Sequence, residues 1–180
     1  MAKFNGLKSS VNARDVVQNS IGLLVSILVR YPEVATCKLS PSDGCIKLTY
    51  ILQGGVPKEV LTKFKEDLST SLEVLYDLRG VSNIRFECCA SDYAGLVLLE
   101  ISRDFNSLSR EEIALVTALV ATRFRDKLIF DDFAENIEDE QDMQDEIIES
   151  MLEDTRFDIL PRDLFGFREN GRVFVFNKSN

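Results

Sequence analysis

The strongest local constraint in this chain lies near its end. Leu164 to Arg168 and Arg172 to Asn177 are β-prone runs on either side of Glu169-Asn170-Gly171. Asn-Gly between two such runs specifies a two-residue type I′ hairpin, because both turn residues accept positive φ and the turn's twist matches that of the strands. The turn then fixes the register, with Glu169 facing Arg172, Phe167 facing Phe174 and Phe165 facing Phe176. A lone hairpin is marginal in water, so four clustered phenylalanines imply docking on the chain's own sheet, a second copy or a client.

The next constraint is charge. The chain of 180 residues carries a net charge of −9, with 21 basic and 30 acidic side chains. Twelve of those carboxylates fall between Asp131 and Asp154, a stretch without Lys or Arg, so the remainder carries +3. Segregation of this kind marks a solvated or partner-directed acidic segment, and it makes nucleic-acid binding by the full-length chain unfavourable. That segment has no Gly for the sharp turn of an EF-hand loop.

Ahead of the acidic segment the hydrophobic periodicity is regular. Residues 13 to 31 read as a helix, with Val17, Ile21, Leu24, Leu28 and Tyr31 on one face and Asn12 as N-cap. Strands at Val34–Leu39 and Cys45–Leu52 follow around Ser40-Pro41-Ser42-Asp43-Gly44. A second helix runs from Pro57 along Leu61, Phe64, Leu68, Leu72 and Leu75, and Gly80 closes it. Strands at Asn83–Cys89 and Gly95–Ser102 come next, joined through Ser91-Asp92-Tyr93. A capping box at Ser109-Arg110-Glu111-Glu112 then opens a helix reaching about Lys127. Beyond it, Ile137, Met143, Ile147, Met151 and Leu152 place a narrow apolar stripe on an acidic helix.

The order αββαββα, with its faint αββ repeat, predicts an α+β protein whose four-stranded sheet has helices on one face. The division that follows is a globular domain over 1–130, an acidic helical connector over 131–155, and an aromatic hairpin over 156–180. That hairpin docks on the body or on a second subunit. In the fourth strand Leu96, Val97, Leu98, Leu99 and Ile101 are apolar on both faces, so both faces call for cover.

Catalytic and ligand signals are sparse. The chain has no His, which removes Ser-His and Cys-His pairs, imidazole metal ligands and a histidine general base. Its four cysteines form no CxxC, and strand alternation splits them between faces, with Cys37 and Cys88 the pair sharing one. They read as structural thiols, and no metal or cofactor is expected. Gly54-Gly55-Val56-Pro57-Lys58 precedes a helix but matches no phosphate-loop pattern. No apolar run is long enough to span a membrane, and the N-terminus lacks a secretory pattern, so a cytoplasmic location is expected.

The opening αββ, with Pro32, Val34, Asp43, Gly44 and Ile46 at the helix exit, turn and return strand, resembles roadblock-type domains over about residues 12 to 128. That resemblance implies a dimerising scaffold of the sort that usually regulates small GTPases. The chain departs from the pattern in having two strands after the central helix where that family has three. A circularly rearranged ferredoxin-like sandwich gives the same order, and no functional residue is transferred from either.

The reading that follows is a non-catalytic interaction or regulatory module, homodimeric or with a protein partner. Leu96, Leu98, Phe165, Phe167, Phe174 and Phe176 are its candidate contacts. One alternative is a nucleic-acid- or ribosome-associated protein whose basic body is masked by its acidic arm. Another is a small-molecule-binding domain or an enzyme that works without histidine.

Overall fold

A computed structural model describes residues 13–82, 84–130, 138–155 and 162–177. The elements run α1 (Ala13–Arg30), β1 (Thr36–Ser40), β2 (Cys45–Gln53), α2 (Lys58–Arg79), β3 (Phe86–Tyr93), β4 (Leu96–Asp104), a 3-10 turn at Phe105–Ser107 and α3 (Arg110–Arg123). They continue with β5 (Leu128–Ile129), α4 (Glu138–Thr155), β6 (Leu164–Glu169) and β7 (Arg172–Asn177). The α+β class stands, but the sheet has seven strands where the sequence predicted four. All pairings are antiparallel, in the order β3-β4-β2-β1-β6-β7. Short β5 pairs with the far end of β2, in the lane that β1 leaves empty.

The extra strands have a simple physical origin. β1 would otherwise be an edge with unpaired backbone groups, and β6 fills that edge with Thr36 opposite Phe167 and Leu39 opposite Leu164. The hairpin thus docks through its backbone ladder in addition to its side chains. Its register is the one its turn specifies, with Phe167 opposite Phe174 and Phe165 opposite Phe176. Asn170 and Gly171 both hold positive φ, 51° and 73°.

The two αββ units meet through β2 and β4, which pair over their full length. Between β3 and β4 the turn falls at Ala94-Gly95, not at Ser91–Tyr93, and β3 accordingly extends to Tyr93. Ala94 and Gly95 carry φ of 51° and 82°, the twist a two-residue hairpin favours, and this outweighs the turn propensity of Ser-Asp. Helix α2 ends as predicted, with Gly80 at φ 62° taking the left-handed cap. Helix α3 opens on Ser109, whose side chain accepts from the Glu112 N–H. It stops at Arg123, short of Lys127, where Phe124 turns in against Phe64 with ring centroids 5.0 Å apart.

Side-chain alternation divides the sheet. Ile46, Leu48, Tyr50 and Leu52 of β2, with Val97, Leu99 and Ile101 of β4, face the helices and are buried. Helix α3 crosses the centre, where Tyr50 OH and Thr117 Oγ1 lie 2.9 Å apart. Helix α1 crosses β6 at Gly166, where an added Cβ would stand 2.9 Å from Leu28 Cδ1 and 3.6 Å from Leu24 Cβ. Glycine there lets the helix sit directly on the hairpin.

Helix α4 lies antiparallel along α1. Gly22 of α1 receives Met151, and Asp145 takes Arg30 Nε at 2.8 Å and Arg110 Nη1 at 3.1 Å. The buried positions of α4 are Ile148 and Leu152, while Met143 is 53% exposed. The predicted stripe therefore turns by about one residue onto Ile148 and Leu152, with Asp145 at its flank against the two arginines. Ile137 and the Asn12 cap lie outside the described residues.

Candidate interaction face

The other face of the sheet carries no helix among the described residues. Register assigns to it Phe165, Phe167, Phe174 and Phe176 at the hairpin, then Thr36 and Lys38 of β1, and Lys47, Thr49 and Ile51 of β2. Leu96, Leu98, Glu100 and Ser102 of β4 and Cys89 and Tyr93 of β3 complete it. All six candidate contacts thus share this face. They do not form one patch. Lys47 and Glu100, bridged at 3.4 Å, and Lys38, bridged to Asp163 at 2.9 Å, form a polar belt between the leucines and the phenylalanines.

At the hairpin end the rings make a compact cluster around Phe167. Its centroid lies 5.4 Å from Phe174 and 5.6 Å from Phe176, both stacked, and 6.2 Å from Phe165. Phe174 remains 37% exposed and Phe176 53%. The hairpin presents its other side, Leu164, Gly166, Val173 and Val175, to α1 and the core. Its docking therefore leaves the aromatic side uncovered among the described residues. At the opposite corner, Leu96 and Leu98 are half-buried and face Gln53 and Ile51 across the ladder, with Tyr93 69% exposed beside them. The expected cover for both faces of β4 is present on the helix side only, among the described residues.

A second feature was missed from sequence. Arg103, 4% exposed, ends the inward-facing row of β4 and meets Glu112, 1% exposed, at the start of α3. Arg103 Nε donates to Glu112 Oε1 at 2.7 Å, and Tyr76 OH donates to the same oxygen at 2.8 Å. The guanidinium also reaches Ser107 Oγ at 2.9 Å and the carbonyl and carboxylate of Asp104. Glu112 Oε2 has no hydrogen-bond partner. Burial raises the Glu112 carboxyl above its ordinary range, against the pull of Arg103 and Tyr76. Burial also opposes ionisation of Asp104, yet the Arg85 N–H, Ser107 and Arg103 outweigh it and hold that carboxyl low. The signal was an arginine continuing the alternation Val97, Leu99, Ile101, with an acidic residue placed by the capping box to meet it. This cluster ties α2, α3 and β4 together, with Arg103 and Glu112 buried and Tyr76, Asp104 and Ser107 half-buried around them.

Cys37 and Cys88 do share the helix-side face. With β4 and β2 between their strands they sit about 14 Å apart at 4.8 Å per strand, too far for a disulfide. Burial raises the Cys88 thiol to about 11 and the Cys37 thiol further, which keeps both protonated at neutral pH. At the Gly54-Gly55 turn, Lys127 Nζ donates to the Gly55 carbonyl at 3.1 Å, a contact that closes the turn onto the end of α3. Among the described residues, no group of three or more Cys, Asp or Glu side chains is arranged to hold a metal ion. No described helix is long and apolar enough to cross a membrane. No family model, no curated protein and no solved structure matches the chain.

Proposed function

We propose that this protein is a non-catalytic interaction module that works as a homodimer, through the aromatic hairpin at the end of its sheet. The observation that carries this reading is the phenylalanine cluster. Four aromatic rings stand together at the end of the sheet, on a face that carries no helix among the described residues, while Leu164, Val173 and Val175 of the same hairpin pack inward. Contiguous exposed apolar surface of this kind is uncommon on monomers and marks association sites. A second copy is the simplest occupant, because each copy brings the same aromatic surface and symmetric self-association is the commonest assembly. Native mass spectrometry across a dilution series tests the reading. A ligand-free dimer that dissociates on dilution supports it; a monomer at every concentration, or one carrying a bound metabolite, overturns it.

The nucleic-acid reading has one observation in its favour, since Asp145 neutralises both Arg30 and Arg110 on the body. Asp145→Asn together with neutral amide replacements along the exposed side of α4 would then create salt-sensitive binding to RNA or DNA. Unchanged indifference to nucleic acid in those variants sinks that alternative.

A further inference from the structure

The two edges of the sheet are unlike. Edge strand β3 carries Glu87 and Asp92, charged side chains of the kind that discourage edge-to-edge pairing. Edge strand β7 reads Arg172-Val173-Phe174-Val175-Phe176-Asn177, with no acidic residue, no Pro and no bulge. Among the described residues it pairs with β6 alone. Its hydrogen-bonding parity follows from the turn. A two-residue hairpin makes Glu169 and Arg172 a hydrogen-bonded pair, and the alternation then directs the backbone groups of Phe174 and Phe176 toward β6. Those of Val173 and Val175 point outward, with no partner strand among the described residues.

We propose that a second copy of this chain adds to the β7 edge in antiparallel fashion about a two-fold axis at Phe174, joining two sheets into one. This deepens the homodimer reading and rests on it. In that register Val173 exchanges backbone hydrogen bonds with the partner's Val175, and Val175 with the partner's Val173. Phe174 meets the partner's Phe174 at a non-hydrogen-bonded position, where Cα atoms approach to about 4.5 Å and side chains are closest. Charge selects this register over its neighbours. Arg172 shares the face of Phe174 and Phe176, and it falls opposite the partner's Phe176, a cation over an aromatic face. The two arginines stand at opposite ends of the paired strands, about 14 Å apart along them at 3.4 Å per residue, and do not repel.

Sterics allow it. Helix α1 lies over β6 at Gly166, so the two copies of α1 would run about 14 Å apart, three strand spacings, against the 8–10 Å of packed helices. The interface is small. Phe174 is 37% and Phe176 53% exposed, and because both rings stay on the open face of the joined sheet they meet the partner only at their flanks, burying less than the roughly 180 Å² per copy that full cover would give. That falls far below the standard class of about 1,600 Å² in total, so the association is of the weak, transient kind.

Sedimentation velocity over micromolar concentrations, with circular dichroism to monitor folding, tests the proposal on the full chain. Val175→Pro removes an outward N–H while leaving every β6–β7 hydrogen bond in place, and Phe174→Glu sets two carboxylates against each other at the axis. Both variants should fold and associate at least about tenfold more weakly. Mixing Phe174→Glu with Phe174→Lys should restore a dimer, seen by its mixed mass in native mass spectrometry, which a general loss of stability would not produce. If both variants fold and dimerise like the parent, or mixing restores nothing, the β7 proposal falls while the dimer itself stands. If the parent is monomeric throughout, both fall together. Should Val175→Pro fail to fold, the charge pair decides alone.

Discussion

Replacing Arg103 with methionine should strand a buried carboxylate. In the folded protein Glu112 is 1% exposed, and its charge is answered by Arg103 Nε at 2.7 Å with Tyr76 OH at 2.8 Å. Methionine approximates the arginine stem's volume, so the substitution removes the charge more than the packing. Stranding one half of a buried ion pair costs about 3–5 kcal/mol, because the remaining charge keeps its desolvation penalty and loses its compensation. For a chain of this size that corresponds to a fall in Tm of about 6–20 °C. Thermal unfolding followed by circular dichroism measures it. The pH dependence has a definite sign. Burial already raises the Glu112 carboxyl, and Arg103 is the stronger of the groups pulling it back. Without Arg103 it rises further, so the folded state holds a proton at pH values where the unfolded chain has released it. Stability then falls as pH rises from the ordinary carboxylate range through the folded value. The deficit against the parent should be largest at neutral pH and shrink as the solution is acidified. Adding Glu112→Leu should recover most of the loss, to within about 1–2 kcal/mol of the parent, since a well-packed apolar replacement of a buried pair is close to neutral. An Arg103→Met protein as stable as the parent at neutral pH, or a double variant as unstable as the single, would refute the argument.

Other perturbations address the layers in turn. Gly166→Val should destabilise by about 1–3 kcal/mol through overpacking against Leu28 and Leu24, read by chemical denaturation. Leu152→Ala, at a position 1% exposed between α4 and α1, should cost about 2–5 kcal/mol and speed amide exchange in α4 before the sheet. Asp145→Asn should cost less than about 1 kcal/mol despite losing Arg30 and Arg110, because all three side chains retain solvent contact, and the difference should vanish at high salt.

The parts of the fold legible in the sequence are those decided locally. Asn170-Gly171 dictates its own twist, so the pairing of Phe167 with Phe174 follows from the turn alone. Gly80 and Ser109 mark helix ends by chemistry that does not depend on the rest of the chain. What the sequence concealed is decided at a distance. The fate of the hairpin depended on β1 having a free edge, which no residue of the hairpin reports. The phase of α4 depended on which of its apolar side chains meet α1, Ile148 and Leu152 with Met151 at Gly22, and α1 lies far away in sequence. That the six candidate residues share one face, with the polar belt of Lys38, Lys47 and Glu100 between them, depends on strand order, which alternation does not encode. Arg103 and Glu112 were visible as an inward arginine and a capping-box acid, but their meeting is a tertiary event.

Amide exchange along β7 at two protein concentrations tests the central claim most directly. The account predicts that the Phe174 and Phe176 amides, bonded within the hairpin, are protected at both concentrations. The Val173 and Val175 amides should exchange quickly when dilute and become protected as the second copy adds to the edge. Protection at Val173 and Val175 that does not change with concentration would contradict it.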